Sequence, residues 1–415
     1  MSCYQKSLKL LDRALERIPL ATQTFSKGYN YFPKGVSPIY LEGGEGSYVW
    51  DVDGNEFIDH VLGLGAITLG YRYPVVDDAI MHQLYTSGYI HSLPHPLEVE
   101  LAELLVDIIP CAEMVRFLKT GSEATSAAIR VARAYTGRMG IAFFGYHGWH
   151  EWYSVSSERN KGISKSLLKF IHSFNYNDIN SLHRVLDREG IATVIMEPMI
   201  VHPPKDDFLQ QVKELTHKHG AILIFDEVVT GFRWSLGGAQ EYFGVIPDLA
   251  TFGKGMANGM PLSAVVGRAD IMREFEDVFV SSTFGGECLS LAAGLATIQE
   301  MKDKDTIGYI WELGRKLMSG LRKVGLEVDG FPCRPAILTP FSPEEKALFI
   351  QEYLKRGILL HSGFLINLCY SHTEEDINQT IEALGEAYHI VQKTVSSGDW
   401  SILEGEIIQP AFRRL

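Results

Sequence analysis

The sequence predicts an α/β protein: a large, mostly parallel sheet covered by helices on both faces, with a smaller α+β region beside it. Three observations carry this. Between about residues 114 and 270 short apolar runs (Ile141–Phe144, Thr193–Met196, Ala221–Phe225) alternate with helical patterns over 122–135 and 206–219. Such alternation reads as parallel strands joined by crossover helices. Ahead of it, residues 46–60 alternate apolar and polar around Asp53-Gly54-Asn55, a short-range hairpin signal. After about residue 300 the pattern turns to amphipathic helices with shorter strands. The boundaries fall near 65 and 300: an N-terminal arm and hairpin over 1–65, a large domain over 66–300 and a small domain over 301–415.

Bulk properties narrow the function. The 415 residues carry a net charge of −13, which would repel nucleic acid and anionic membrane alike. Cys3, Cys111, Cys288, Cys333 and Cys369 are scattered and form no Cys-x-x-Cys pair, the usage of a reducing compartment, so a cytoplasmic protein is expected. The first residues lack an apolar signal core, and no stretch approaches the roughly 20 apolar residues a membrane helix needs.

Taken in order, the elements lead to four strand-end clusters. Leu97, Leu101, Leu104, Leu105 and Ile108 share one face of a helix near 97–109. The first cluster follows: Lys119-Thr120-Gly121-Ser122-Glu123, opening a helix. A Gly-Ser at a helix start offers backbone N–H groups, a hydroxyl and the positive dipole end, which suit a phosphate; a capping serine is the alternative. In Phe144-Gly145-Tyr146-His147-Gly148 an aromatic between glycines can stack on a flat heterocycle, or pack in a tight turn. In Phe225-Asp226-Glu227 two carboxylates end a buried apolar run and need a partner. A protonated ring nitrogen is one, Mg²⁺ another, although no Gly-x-x-x-x-Gly-Lys-[Ser/Thr] loop accompanies it. In Gly253-Lys254-Gly255 a lysine between glycines can form an imine, or sit in a surface turn.

The order of the four clusters resembles the class III pyridoxal phosphate (PLP) aminotransferases of fold type I, in particular the glutamate-1-semialdehyde aminotransferase group. The resemblance runs through Gly46–Asn55, Gly121–Ala124, Ala132–Arg138, Tyr146–Gly148, Glu197-Pro198, Asp226–Arg233, Gly253–Gly255, Ser282–Gly286 and His372–Ile377. It implies a PLP-binding large domain, a small domain that takes in the N-terminal segment, and a homodimer with shared active sites. It implies that Gly121 and Ser122 bind the cofactor phosphate, Tyr146 stacks on the pyridine and Val228 packs on its other face. It further implies that Asp226 pairs with the pyridine nitrogen, that Lys254 holds PLP as a Schiff base and serves as proton carrier, and that Thr283 reaches the phosphate of the neighbouring subunit. By the same resemblance Glu197 and Arg233 are expected to support the site and His147 to be structural.

Substrate identity follows less directly. True aminomutases of this group carry Val-[Asn/Ser]-Ser-Pro-Val-Arg near the N-terminus, whose arginine helps recognise a carboxylate; here Thr22–Pro38 lacks it. The segment before Thr283 is shortened, and Glu287-Cys288 replaces Asn-Pro after Gly-Gly. A mutase must retain its intermediate, whereas a transaminase need only release products. The expected reaction is therefore amino transfer from a donor, glutamate, to an aldehyde or keto acceptor, with 2,1-aminomutase isomerisation as the alternative. Thr-x-x-Phe-Ser-Lys and Ile408–Arg413 resemble enzymes of modified-sugar or surface-polysaccharide pathways. Lys27, Tyr29 and Tyr31 stand as substrate contacts or as an exposed arm. His91 and His95 are spaced like a metal pair, but Pro94 and Pro96 disfavour the helix this needs, so no metal is expected.

Overall fold

The computed structural model describes residues 4–408; Cys3 and the segment from Gln409 to Arg413 lie outside them. The chain forms two compact units. One runs Pro74–Ile307, and the other combines the chain up to Tyr73 with the chain from Gly308 onward.

The Pro74–Ile307 unit is built on seven strands: Met114–Leu118 (β1), Gly140–Phe144 (β2), Ile171–Ser173 (β3), Ile191–Met196 (β4), Ile222–Asp226 (β5), Leu249–Phe252 (β6) and Ser263–Gly267 (β7). Their order across the sheet is β1-β7-β6-β5-β4-β2-β3. Strands β2 to β6 pair in parallel, while β7 lies antiparallel to both β6 and β1. Six of the seven strands thus deliver their carboxyl ends to the same edge. The strand order reverses at β2, with β3 on one side and β4 on the other, the arrangement that opens a crevice at an α/β sheet edge.

Strands β4 to β7 are buried at every residue, which is why they read as unbroken apolar runs instead of alternating ones. The helix Gly121–Thr136 lays Ala124, Ala127, Ala128, Val131 and Ala132 against this sheet. Small side chains let it approach closely. It starts in a capping box between Thr120 and Glu123 and stops at Gly137, whose φ of +66° supplies the left-handed C-cap.

In the other unit the strands Leu41–Glu45, Tyr48–Asp51 and Glu56–Asp59 form an antiparallel meander, and Ile358–Leu359 adds to its edge in parallel. The hairpin turn is the Asp-Gly-Asn expected. Gly54 sits at φ +91°, and Asp51 Oδ1 accepts the backbone N–H groups of Asp53 and Asn55 at 3.0 and 2.8 Å. The long helix Glu374–Ser397 begins at a Thr373–Asp376 capping box. Among the described residues no helix is long and apolar enough to cross a membrane.

Candidate active site

Strand register assembles the site. Phe144 is level with Met196, Met196 with Phe225, and Asp226 with Thr251. Tyr146, Glu197, Asp226 and Lys254 therefore all stand at or just beyond one edge of the sheet, although 108 residues separate the first from the last.

Asp226 ends β5 and is buried. Its Oδ2 lies 2.7 Å from His147 Nδ1, and its Oδ1 accepts the Thr251 hydroxyl and the Val228 N–H, each at 3.2 Å. The other ring nitrogen of His147, Nε2, lies 3.0 Å from the Phe144 carbonyl. Both nitrogens of this buried imidazole therefore face oxygen atoms. His147 is held by the Trp152 ring stacked at 5.9 Å and by Tyr153 edge-on at 5.6 Å. Its contact and that of Thr251 fix the Asp226 carboxylate in place.

The neighbouring carboxylate does something else. Glu227 accepts the N–H groups of Ala239 and Gln240 at 2.8 and 2.9 Å, and the Thr230 hydroxyl. Burial pushes its carboxyl up to about 7, against the lowering effect of those donors. The two adjacent carboxylates serve separate sets of partners and do not converge on one cation, so the magnesium alternative finds no support in their geometry. Arg233 is buried nearby in sequence.

At the start of the Gly121–Thr136 helix the cap is Thr120, not Ser122: the Thr120 hydroxyl accepts Glu123 N–H, and the Glu123 carboxylate accepts Thr120 N–H at 2.8 Å. Ser122 is thereby released from capping. Its Oγ accepts the Trp149 N–H at 3.2 Å, and its own N–H falls in the first turn, where helical N–H groups have no intrahelical acceptor. Gly148, at φ +94°, leaves room for it: a Cβ there would lie 2.2 Å from Ser122 Oγ.

Val228 joins the parts. Its methyl groups lie 3.0 Å from where a Cβ on Gly121 would be, and 3.6 Å from the equivalent point on Gly253. Lys254, next to Gly253, has φ +41°, a left-handed conformation costly for a lysine and characteristic of functional positions. Tyr146 is 54% exposed, with its N–H held by Glu197 Oε1 at 2.7 Å. Gly145, at φ +102°, has no room for a side chain beside Glu197. Gly121, Ser122, Tyr146, Glu197, Asp226, Val228 and Lys254 thus form one cluster. Thr283 does not join it; it is exposed in the segment preceding Gly285.

These residues fit PLP. Released helix-start donors at Gly121 and Ser122 match its phosphate. A buried carboxylate backed by an imidazole matches a protonated ring nitrogen, an exposed aromatic and a valine provide two faces, and a glycine-flanked lysine provides the amine. Thr251, Thr120 and the His147–Asp226 contact were not singled out by the sequence. The first two carry ordinary threonine signals, and the third joins side chains 79 residues apart.

Comparison with known proteins agrees with this geometry. The family model for aminotransferase class-III matches residues 31–387. The chain is 39% identical over 414 residues to the 3-aminobutyryl-CoA aminotransferase of Cloacimonas acidaminovorans, covering 94% of this chain and 98% of that protein. It is 34% identical over 417 residues to the glutamate-1-semialdehyde 2,1-aminomutase of Archaeoglobus fulgidus, covering 89% and 100%. Among solved structures it resembles the PLP internal aldimine form of the FumI protein of Sphingopyxis sp. MTA144, with a TM-score of 0.90 at 26% identity over 98% of this chain and 100% of that one. The chain belongs to the class-III aminotransferases, on the fold type I architecture, and is a PLP-dependent transaminase.

Proposed function

We propose that this enzyme moves an amino group between two separate substrates, from glutamate to an aldehyde or keto acceptor. The observation that carries the choice over internal amino migration is the anchoring around Thr283. Arg116 donates to the Val280 carbonyl at 2.7 Å and Arg130 to the Phe279 carbonyl at 2.6 Å. Beyond Thr283, Glu287 pairs with Lys119 at 3.0 Å and caps the following helix through Leu289 and Ser290 N–H. A segment tied at both ends suits product release better than closure over a retained intermediate. The aminotransferase relative at 39% identity supports the same reading.

Bound PLP supplies an electron sink conjugated to the substrate carbon. Lys254 Nζ is the amine that would hold the cofactor, and, when free, it would move a proton to and from the substrate carbon as base and acid. Asp226, oriented by His147 and Thr251, keeps the pyridine nitrogen protonated. The Gly121 and Ser122 N–H groups with Ser122 Oγ bind the phosphate. Tyr146 covers one ring face and Val228 the other, while Glu197 fixes the Tyr146 backbone. Thr283 completes the phosphate site of a second copy in a homodimer. The exposed apolar side chains Tyr85, Tyr89, Leu93, Val99 and Phe284 support such an interface. The buried thiols of Cys111, Cys288, Cys333 and Cys369 fit the cytoplasm.

For the acceptor we propose a carbonyl compound of the modified-sugar kind, on the strength of the Thr22–Lys27 segment. A 3-oxoacyl thioester is the second reading, favoured by the 3-aminobutyryl-CoA aminotransferase relative. The experiment loads the holoenzyme with glutamate and follows the cofactor spectrum as keto sugars, 3-oxoacyl thioesters and simple aldehydes are added in turn. Return of the original spectrum with a keto sugar supports the first reading. Return only with the thioester replaces it with the second, and interconversion of a single amino-aldehyde without any acceptor would restore the mutase.

A further inference from the structure

Among the described residues, one cluster of metal-ligating side chains lies outside the residues assigned to PLP. One ligand atom from each of His91, His95 and Cys288 lies within 4.8 Å of the other two. All three belong to the Pro74–Ile307 unit. Pro94 and Pro96 exclude a shared helix for the histidine pair, and the chain brings the rings together by another route. His95 is extended, at φ −104° and ψ 147°, and caps the helix Pro96–Ile108. The two imidazoles stack with their centroids 5.1 Å apart. Cys288 opens the helix Cys288–Asp303. Its N–H donates to the Tyr89 carbonyl at 2.8 Å, which ties that helix start to the histidine segment.

Little holds these donors elsewhere. The Cys288 side chain is buried, and its thiol makes a long 3.6 Å contact with the Gly286 carbonyl. His95 Nδ1 accepts the Leu97 N–H at 3.2 Å. An ion on either nitrogen of that ring displaces only this bond, since coordination at Nε2 moves the ring hydrogen to Nδ1. His91 is exposed, so its ring is free to turn. A tetrahedral ion with bonds of about 2.0–2.3 Å needs ligand atoms roughly 3.5 Å apart, so closing the cluster takes about an ångström of side-chain movement. The Glu98 carboxylate lies against Gly286, two residues before Cys288, and adds negative charge beside the cluster.

We propose that His91, His95 and Cys288 bind a soft divalent transition-metal ion, Zn²⁺, one per chain. Nitrogen and sulfur donors select it over Mg²⁺ and Ca²⁺, which take oxygen ligands. Binding releases the Cys288 thiol proton to solvent and places the thiolate sulfur on the ion. Three protein ligands leave the fourth tetrahedral place to water. The ion pins the segment from Tyr89 to His95 onto the start of the Cys288–Asp303 helix. The proposal does not depend on which carbonyl compound accepts the amino group.

The test uses holoenzyme in the assembly as purified, freed of excess PLP and stripped of metal with EDTA. Zn²⁺ is titrated by calorimetry, and Co²⁺ serves as a spectroscopic stand-in, read as a difference spectrum against the metal-free holoenzyme. Wild type should bind one Zn²⁺ per chain whether or not excess Mg²⁺ is present, and the Co²⁺ spectrum should show the charge-transfer band of a thiolate ligand. His91→Ala, which removes an exposed ring, and Cys288→Ser should each weaken Zn²⁺ binding by at least about tenfold, since loss of even an outer partner of a metal ligand costs about that much. Cys288→Ser should also lose the band.

If Cys288→Ser fails to fold, the wild-type band still reports the sulfur and His91→Ala the imidazole. Three results each overturn the proposal: no stoichiometric Zn²⁺ binding by wild type, a Co²⁺ spectrum without the thiolate band, or binding that either folded variant weakens by less than about tenfold.

Discussion

Replacing Gly148 with alanine tests whether the start of the Gly121–Thr136 helix is the phosphate site. At φ +94° a non-glycine residue costs about 1–2 kcal/mol in backbone strain. The larger effect is local. The added methyl would lie 2.2 Å from Ser122 Oγ, 2.7 Å from its Cβ and 2.8 Å from its Cα. The side chain could rotate away, but the Cα could not, and ordinary contact begins near 3.4 Å. Either Ser122 or the turn carrying Tyr146 must move by roughly half an ångström or more, enough to spoil hydrogen bonds whose useful range is only about that wide. A hydrogen bond to a charged group contributes about 1.5–3 kcal/mol, so losing one weakens PLP binding by about ten- to a hundredfold. The assay strips the cofactor, titrates the apo-enzyme with PLP by tryptophan fluorescence, and checks by circular dichroism that the fold is kept. A folded Gly148→Ala enzyme that binds PLP within twofold of wild type would refute the assignment of Ser122.

Other substitutions perturb the Asp226 and Glu227 carboxylates. His147→Ala leaves the Asp226 carboxylate buried with only Thr251 and Val228 as donors, and should cost about 3 kcal/mol in urea unfolding. Adding Asp226→Asn should recover part of that loss, and two additive effects would show the pair is not coupled. Asp226→Ala should keep the fold yet slow single-turnover proton abstraction by at least about a hundredfold; near-normal rates would remove its electronic role. Glu227 bears on pH. In the unfolded chain its carboxyl ionises near the ordinary 4.5, whereas burial in the fold holds the proton to about pH 7. Between those values the folded chain binds more protons, so this group's contribution makes stability fall as pH rises, by about 3 kcal/mol in all. Glu227→Gln should flatten the stability profile between pH 4.5 and 7, and an unchanged slope would contradict the assignment.

Much of the site was legible because its chemistry sits at strand ends that follow unbroken apolar runs. The runs at Thr193–Met196 and Ala221–Phe225 became β4 and β5 within two residues, and Asp53-Gly54-Asn55 formed the expected turn. What stayed hidden depends on which strands become neighbours. The His147–Asp226 contact needs the carboxyl ends of β2 and β5 on one edge, and nothing near either residue encodes that. Glu227 looked like a second site carboxylate because sequence reports adjacency, whereas the chain turns it toward the Ala239 and Gln240 amides. The capping alternative for Ser122 could not be set aside from sequence, because the Thr120–Glu123 box that takes the cap starts two residues earlier with equally good capping chemistry. The antiparallel β7 reads as one more apolar run. Its direction is set by the short link from Lys254 to Leu262, which is too brief for a parallel crossover.

Whether Lys254 is the lysine bonded to PLP is decided by borohydride reduction followed by peptide mapping. Reduction should fix the pyridoxyl mass on the peptide containing Lys254, at one per chain, and Lys254→Ala should abolish that label. A pyridoxyl group fixed on any other lysine of the wild-type enzyme would contradict the account.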